Sequence, residues 1–161
     1  SRRDWLWKGG QRGGDVLDRI EKSIVIKAPP EKVWEMLAQD RHLEWFWGYK
    51  SVVYTSEVRN PEDKYRVGTS AHVIGTHDKF DTTITESLEN EMIAYSIQAK
   101  GTRNTIQKYT LKPTEAGTEL RFLMEYDISN MILRLLDKLL WKVFEKDLTK
   151  SFEALKSILE K

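Results

Sequence analysis

The 161-residue chain contains no cysteine. This excludes a disulfide-stapled scaffold, a thiolate nucleophile, a zinc ribbon and a cysteine-held iron–sulfur cluster. An excess of one charge is also missing: 26 Lys and Arg stand against 25 Asp and Glu, for a net charge of +1. A protein that neutralises phosphates needs a clear basic surplus, so no nucleic-acid partner is expected. No apolar run approaches the ~20 residues that cross a bilayer, and the opening residues lack the apolar stretch of a secretory signal. The expectation is a cytoplasmic protein with no integral membrane segment. Proline is scarce, and Pro29, Pro30, Pro61 and Pro113 all fall between periodic segments. With 40% hydrophobic and 32% charged residues, the composition is globular, and the length favours one domain.

Residues 1–19 read as a flexible leader, because Gly9-Gly10 and Gly13-Gly14 weaken any regular element. Ser1 reads as a processed or engineered terminus. From Ile20 onward, residues 20–161 read as a single domain. Ile20, Lys22, Ile24 and Ile26 alternate on one face of a strand that Ala28-Pro29-Pro30 ends. Val33, Trp34, Leu37 and Ala38 then recur at helical spacing, and Asp40-Arg41-His42-Leu43 restarts a second short helix. Six strands follow, over Val52–Val58, Tyr65–Gly75, Phe80–Glu86, Ile93–Ile97, Thr105–Leu111 and Thr118–Tyr126, joined by turns short enough for an antiparallel meander. From Ile132 the apolar residues step by threes and fours to Leu159, with no Gly or Pro from Ser129 on. That pattern predicts a long amphipathic helix of roughly 30 residues.

One strand, two short helices, six strands and a long helix make an α+β arrangement, a curved antiparallel sheet of about seven strands wrapped over the C-terminal helix. The segment Ile24-Val25-Ile26-Lys27-Ala28-Pro29-Pro30-Glu31-Lys32-Val33-Trp34 resembles the opening signature of the SRPBCC (START-like, helix-grip) superfamily. Leu148-Thr149-Lys150-Ser151-Phe152-Glu153-Ala154-Leu155-Lys156 is similar to its last helix. The nearest branch is the polyketide cyclase/dehydrase and lipid-transport-like group. The resemblance implies a helix-grip fold with a deep hydrophobic cavity for lipids, polyketides or sterols. It implies no catalytic residue set, since fold and activity separate readily.

The expected function is binding or transport of a small hydrophobic or amphipathic molecule between sheet and helix. Two alternatives stand beside it: a cyclase or dehydratase in the same cavity, and a protein-interaction or co-chaperone module with a filled core. The candidate pocket residues are Trp34, Leu37, Trp45, Trp47, Ala71, Val73, Thr82, Ile84, Tyr95, Tyr109, Phe122, Met124, Tyr126, Leu136, Leu140 and Phe144. Aromatic rings suit both a core and a ligand wall, and the tyrosine and threonine hydroxyls suit orientation of a ligand oxygen. His72 and His77 read as surface residues and His42 as a cap or surface residue in the helix-to-helix turn. No metal site and no cofactor are expected. Arg134, Lys138, Lys142, Lys146 and Lys150 read as the solvated outer face of the last helix.

Overall fold

A computed structural model of the chain describes residues 5–8, 12–13, 15–128 and 131–161, with side chains from Arg19 to Asp127 and from Lys142 onward. Among the described residues, nine strands and two α-helices run in chain order. They are β1 (Trp5–Lys8), β2 (Arg12–Gly13), β3 (Asp15–Ile26), α1 (Pro30–Glu35), β4 (Tyr49–Tyr54), β5 (Ser70–Gly75), β6 (Lys79–Leu88), β7 (Met92–Ala99), β8 (Thr102–Thr114), β9 (Gly117–Ile128) and α2 (Met131–Leu159). Short 3-10 turns span Asp40–Glu44 and Pro61–Tyr65. The sheet is antiparallel throughout, in the order β1-β3-β9-β8-β7-β6-β5-β4, with β2 paired to β3. Its seven long strands are those the alternation predicts, and the helix-grip arrangement is present. Irregular register at Tyr49/Ser51, Ile84/Glu86 and Arg103/Ile106 bends the strands, as an inserted residue does.

One difference has a local cause. The strand expected from Tyr65 starts at Ser70 instead, and Val67 is 57% exposed. Asn60 and Asp63 form a reciprocal capping box around Pro61, which winds residues 61–65 into a turn, and Gly68 then reverses the chain at φ +94°. Within the expected leader, Trp5–Lys8 pairs with Arg19–Lys22, and β3 begins at Asp15.

The inner face of the sheet can be read row by row from the pairing. Ile24, Leu120 and Leu111 make one apolar row. Next come Lys22, Phe122, Tyr109 and Ile93, then Ile20, Met124, Gln107, Tyr95 and Ile84. Farther along the strands the row is Tyr54, Ala71, Thr82, Ile97 and Thr105. Leu148, Phe152 and Leu155, on the C-terminal half of α2, close the core with these residues and α1. On the opposite side of that helix, Lys142, Lys146 and Lys150 are exposed, as the charge spacing predicts. Lys22 is only 4% exposed, and its ammonium lies 5.8 Å from the ring centre of Phe152, a desolvated cation–π contact.

Gly117, at the β8–β9 turn, is where the sheet closes most tightly on the β3 end. Its φ is +140°, and a Cβ there would sit 2.1 Å from the Ile26 carbonyl oxygen and 2.9 Å from Lys27 Cα. Both obstacles are backbone and cannot rotate away. Gly117→Ala is therefore expected to destabilise the fold by about 2–4 kcal/mol. Urea unfolding checks this, and an unchanged midpoint would contradict the close approach.

Candidate functional site

A helix of six residues leaves most of its C-terminal carbonyls without an internal partner. From the last residue of α1 onward, four consecutive carbonyls are capped by four ring-bearing side chains. Tyr65 Oη donates to Glu35 O at 2.9 Å, Trp45 Nε1 to Met36 O at 2.8 Å and Tyr95 Oη to Leu37 O at 2.6 Å. His42 Nδ1 lies 2.8 Å from Ala38 O. These donors come from the two 3-10 turns and from β7, so they pin the end of α1 over the inner sheet face. Two residues beyond Ala38, Asp40 accepts from Tyr54 Oη at 2.9 Å and from Lys64 Nζ at 2.7 Å. Burial pushes the Asp40 carboxyl up, but the bonds from Lys64 and Tyr54 outweigh it and hold it below its ordinary range.

His42 is the centre of this arrangement. It is fully buried, with Trp45, Phe46 and Tyr49 rings at 4.9, 5.7 and 5.4 Å. A carbonyl only accepts, so Nδ1 carries the proton given to Ala38 O. Burial lowers the His42 pKa to about 4, against weaker opposing effects of the Ala38 bond and the Asp40 charge. The imidazole is thus neutral, and Nε2 accepts from Tyr109 Oη at 2.8 Å. Tyr109 Oη in turn accepts from Gln107 Nε2 at 2.7 Å. Burial raises the phenols of Tyr95 and Tyr109 well above their usual range, so both remain neutral donors. The chain Gln107–Tyr109–His42–Ala38 has every proton assigned.

The structure brings most of the expected pocket residues to this face. Trp34, Leu37, Trp45, Ala71, Val73, Thr82, Ile84, Tyr95, Tyr109, Phe122 and Tyr126 are buried, and Met124 and Phe144 pack half-buried against them. Leu136 and Leu140 lie outside the described side chains. Trp47 departs from the cluster: it is 57% exposed, with the Lys150 ammonium 4.9 Å from its ring centre. Its main-chain N–H donates to Ser151 Oγ at 2.7 Å, and the indole is turned away from the core. The Tyr95 hydroxyl is committed to the main chain of Leu37 rather than left for a ligand oxygen.

His42 does serve as a cap, on the Ala38 carbonyl, but the surface alternative is overturned, because Ala38 O and Tyr109 hold its ring inside. Gln107 carried a usable signal, since alternation sets it on the face of Thr105 and Tyr109. Gln39 carried none. Its side chain is 2% exposed, and its Oε1 accepts from Tyr49 Oη at 3.4 Å. Among the described residues, its Nε2 and the Thr82 hydroxyl are buried without a hydrogen-bond partner. His72 pairs with Asp81 at 2.8 Å, and His77 is exposed. No group of three metal-ligating side chains occurs among the described residues. None of the described helices is long and apolar enough to cross a membrane.

The family model for polyketide cyclase/dehydrase and lipid transport proteins matches residues 18–160. The chain belongs to that family. Among solved structures, a Staphylococcus aureus protein of unknown function is similar at TM-score 0.69 and 13% identity, covering 91% of this chain and 96% of its own. A norcoclaurine synthase point mutant from Thalictrum flavum, in complex with a transition-state analogue, has TM-score 0.67 and 12% identity over 92% of this chain and 97% of its own. The Aha1 dimer from Colwellia psychrerythraea has TM-score 0.57 and 21% identity over 88% and 96%. Among curated proteins none matches. At these identities the neighbours establish the fold that the polyketide cyclase/dehydrase and lipid transport family shares, and nothing finer.

The buried imidazole has a direct consequence in this member of the family. The native state refuses a proton that the unfolded chain accepts with a pKa near 6.5. The His42 contribution to stability is therefore complete above pH 6.5 and is lost as pH falls toward about 4. The slope is at most about 1.4 kcal/mol per pH unit and the total loss about 3 kcal/mol. Denaturant midpoints of the protein and of His42→Gln across this window check the assignment. The variant is expected to show the flatter profile, and equal slopes would place the proton elsewhere.

Proposed function

We propose that the protein is a cytoplasmic binder or carrier of a small apolar or amphipathic molecule, a lipid, polyketide or similar compound, held between the concave sheet face and α2. The observation that carries this reading is the gradient along the inner face. One end is sealed by Ile24, Leu111, Leu120, Phe152 and Leu155, all buried apolar groups. The other carries the small or hydroxylated Ala71, Thr82 and Thr105, which fill space poorly and present polar atoms inward. Ligand sites are commonly concave, mostly apolar and furnished with a few convergent polar groups. Affinity would come from buried apolar area at ~25 cal/mol per Å² and orientation from the hydroxyls. Met124, Tyr126 and Phe144 belong to the pocket in this reading. Family membership is in keeping with a hydrophobic-ligand fold.

The geometry favours binding over catalysis. An acid or base must reach its substrate with a free proton site. Both ring nitrogens of His42 are engaged, and Tyr95 and Tyr109 are neutral donors bound to protein acceptors. His72 is tied to Asp81 across two strands. The cluster is built to hold α1 in place.

Thermal unfolding against fatty acids, sterols and aromatic polyketides tests the proposal. A ligand that binds only the native state at a hundred times its Kd adds about 2.7 kcal/mol, a rise of about 5–10 °C for a domain of this size. A flat response across all apolar classes would reject the cavity and favour an interaction module with a filled core.

A further inference from the structure

Two buried polar groups are not used by the network that fixes α1. Gln39 follows directly on the capped carbonyls, and Tyr49 Oη engages its Oε1, which leaves the amide N–H groups facing inward without a partner among the described residues. Thr82, 1% exposed, stands on the inner face between Ala71 and Ile97 with its hydroxyl likewise unpartnered. A short chain of contacts links the two residues. Tyr49, which holds Gln39, packs edge-on against Phe80 with ring centres 5.9 Å apart. Phe80 lies two residues before Thr82 on β6, so the two side chains point to the same side of the strand. Ala71 beside Thr82 is small, which keeps this part of the face low. Leaving a buried donor unsatisfied is costly, and natural structures rarely carry two in one region without a use for them.

We propose that Gln39 Nε2 and Thr82 Oγ1 form a polar subsite that takes a neutral acceptor oxygen, a ketone or ester carbonyl, of an otherwise apolar ligand. This inference rests on the ligand-binding reading above and specifies its chemistry. Gln39 Nε2 can only donate, and the Thr82 hydroxyl can donate beside it, which selects an acceptor. The charge nearest to Gln39 along the chain is the Asp40 carboxylate, which already holds the Lys64 ammonium and the Tyr54 hydroxyl, so Lys64 is engaged and does not balance a ligand carboxylate, which selects a neutral carbonyl. Tyr49, Phe80 and Tyr54 offer aromatic walls for the remainder of the molecule.

The test compares three probes of one shape, acetophenone, isopropylbenzene and benzoate, by ligand-observed NMR titration of the full chain. The variants are Gln39→Met and Thr82→Val, with urea midpoints as the control for folding. The wild type is expected to bind acetophenone about tenfold tighter than isopropylbenzene, the value of one well-made hydrogen bond, and benzoate more weakly than acetophenone. Each variant is expected to lose most of that preference while binding isopropylbenzene as before, and Thr82→Val is expected to be at least as stable as the wild type. A ketone preference that survives both substitutions, or variants that weaken ketone and hydrocarbon equally, would overturn the subsite while leaving the cavity intact. Benzoate as the tightest probe would overturn the neutral class. Failure of the wild type to bind any probe would overturn the subsite together with the cavity on which it depends.

Discussion

Everything on the inner face depends on how the short helix α1 ends. Six residues cannot satisfy their own carbonyls, and Met36, Leu37 and Ala38, which follow, are buried where water cannot satisfy theirs either. Glu35, Met36, Leu37 and Ala38 instead give their oxygens to Tyr65, Trp45, Tyr95 and His42. Each cap couples two tasks in one side chain. The polar atom settles a backbone acceptor, and the ring fills the volume between helix and sheet. The arrangement is stiff because the donors come from separate elements, so the helix end cannot shift without breaking several bonds together.

The neutral imidazole makes this possible. A charged His42 would donate from both nitrogens and could not accept from Tyr109, and the hydroxyl would then have to rotate away from the ring. Burial decides the matter by disfavouring the charged form. The same low-dielectric surroundings keep Tyr95 and Tyr109 protonated and therefore able to donate. Polar groups at the heart of the sheet thus serve architecture first, while Gln39 Nε2 and Thr82 Oγ1, at the edge of the network, retain unspent hydrogen-bonding capacity.

The strands were legible because their alternation is strict. Ile20, Lys22, Ile24 and Ile26 all face inward as their period of two requires, and even the lysine follows the pattern, its ammonium over the Phe152 ring. The α2 register was legible for the same kind of reason: Leu148, Phe152 and Leu155 fall on one face, opposite the exposed lysines. The region 61–69 misled because its alternating residues sit between a proline-started turn and a glycine at positive φ, local geometry that periodicity does not register. His42 misled more seriously. In sequence it is a polar residue in a turn beside an acid, and turns usually face water.

The order of elements, the antiparallel pairing, the inward face of each strand and the family's opening Ala-Pro signature follow from the sequence alone, because each is a short-range pattern of side-chain size and polarity. The tertiary structure decided which polar residues lie buried and with whom they pair. His42 and Tyr109 stand 67 positions apart, as Leu37 and Tyr95 stand 58 apart, and no local pattern encodes such a meeting. Whether a histidine in a turn is charged at the surface or neutral in the core depends on what the rest of the chain stacks against it, and that is settled only when the sheet closes over the end of α1.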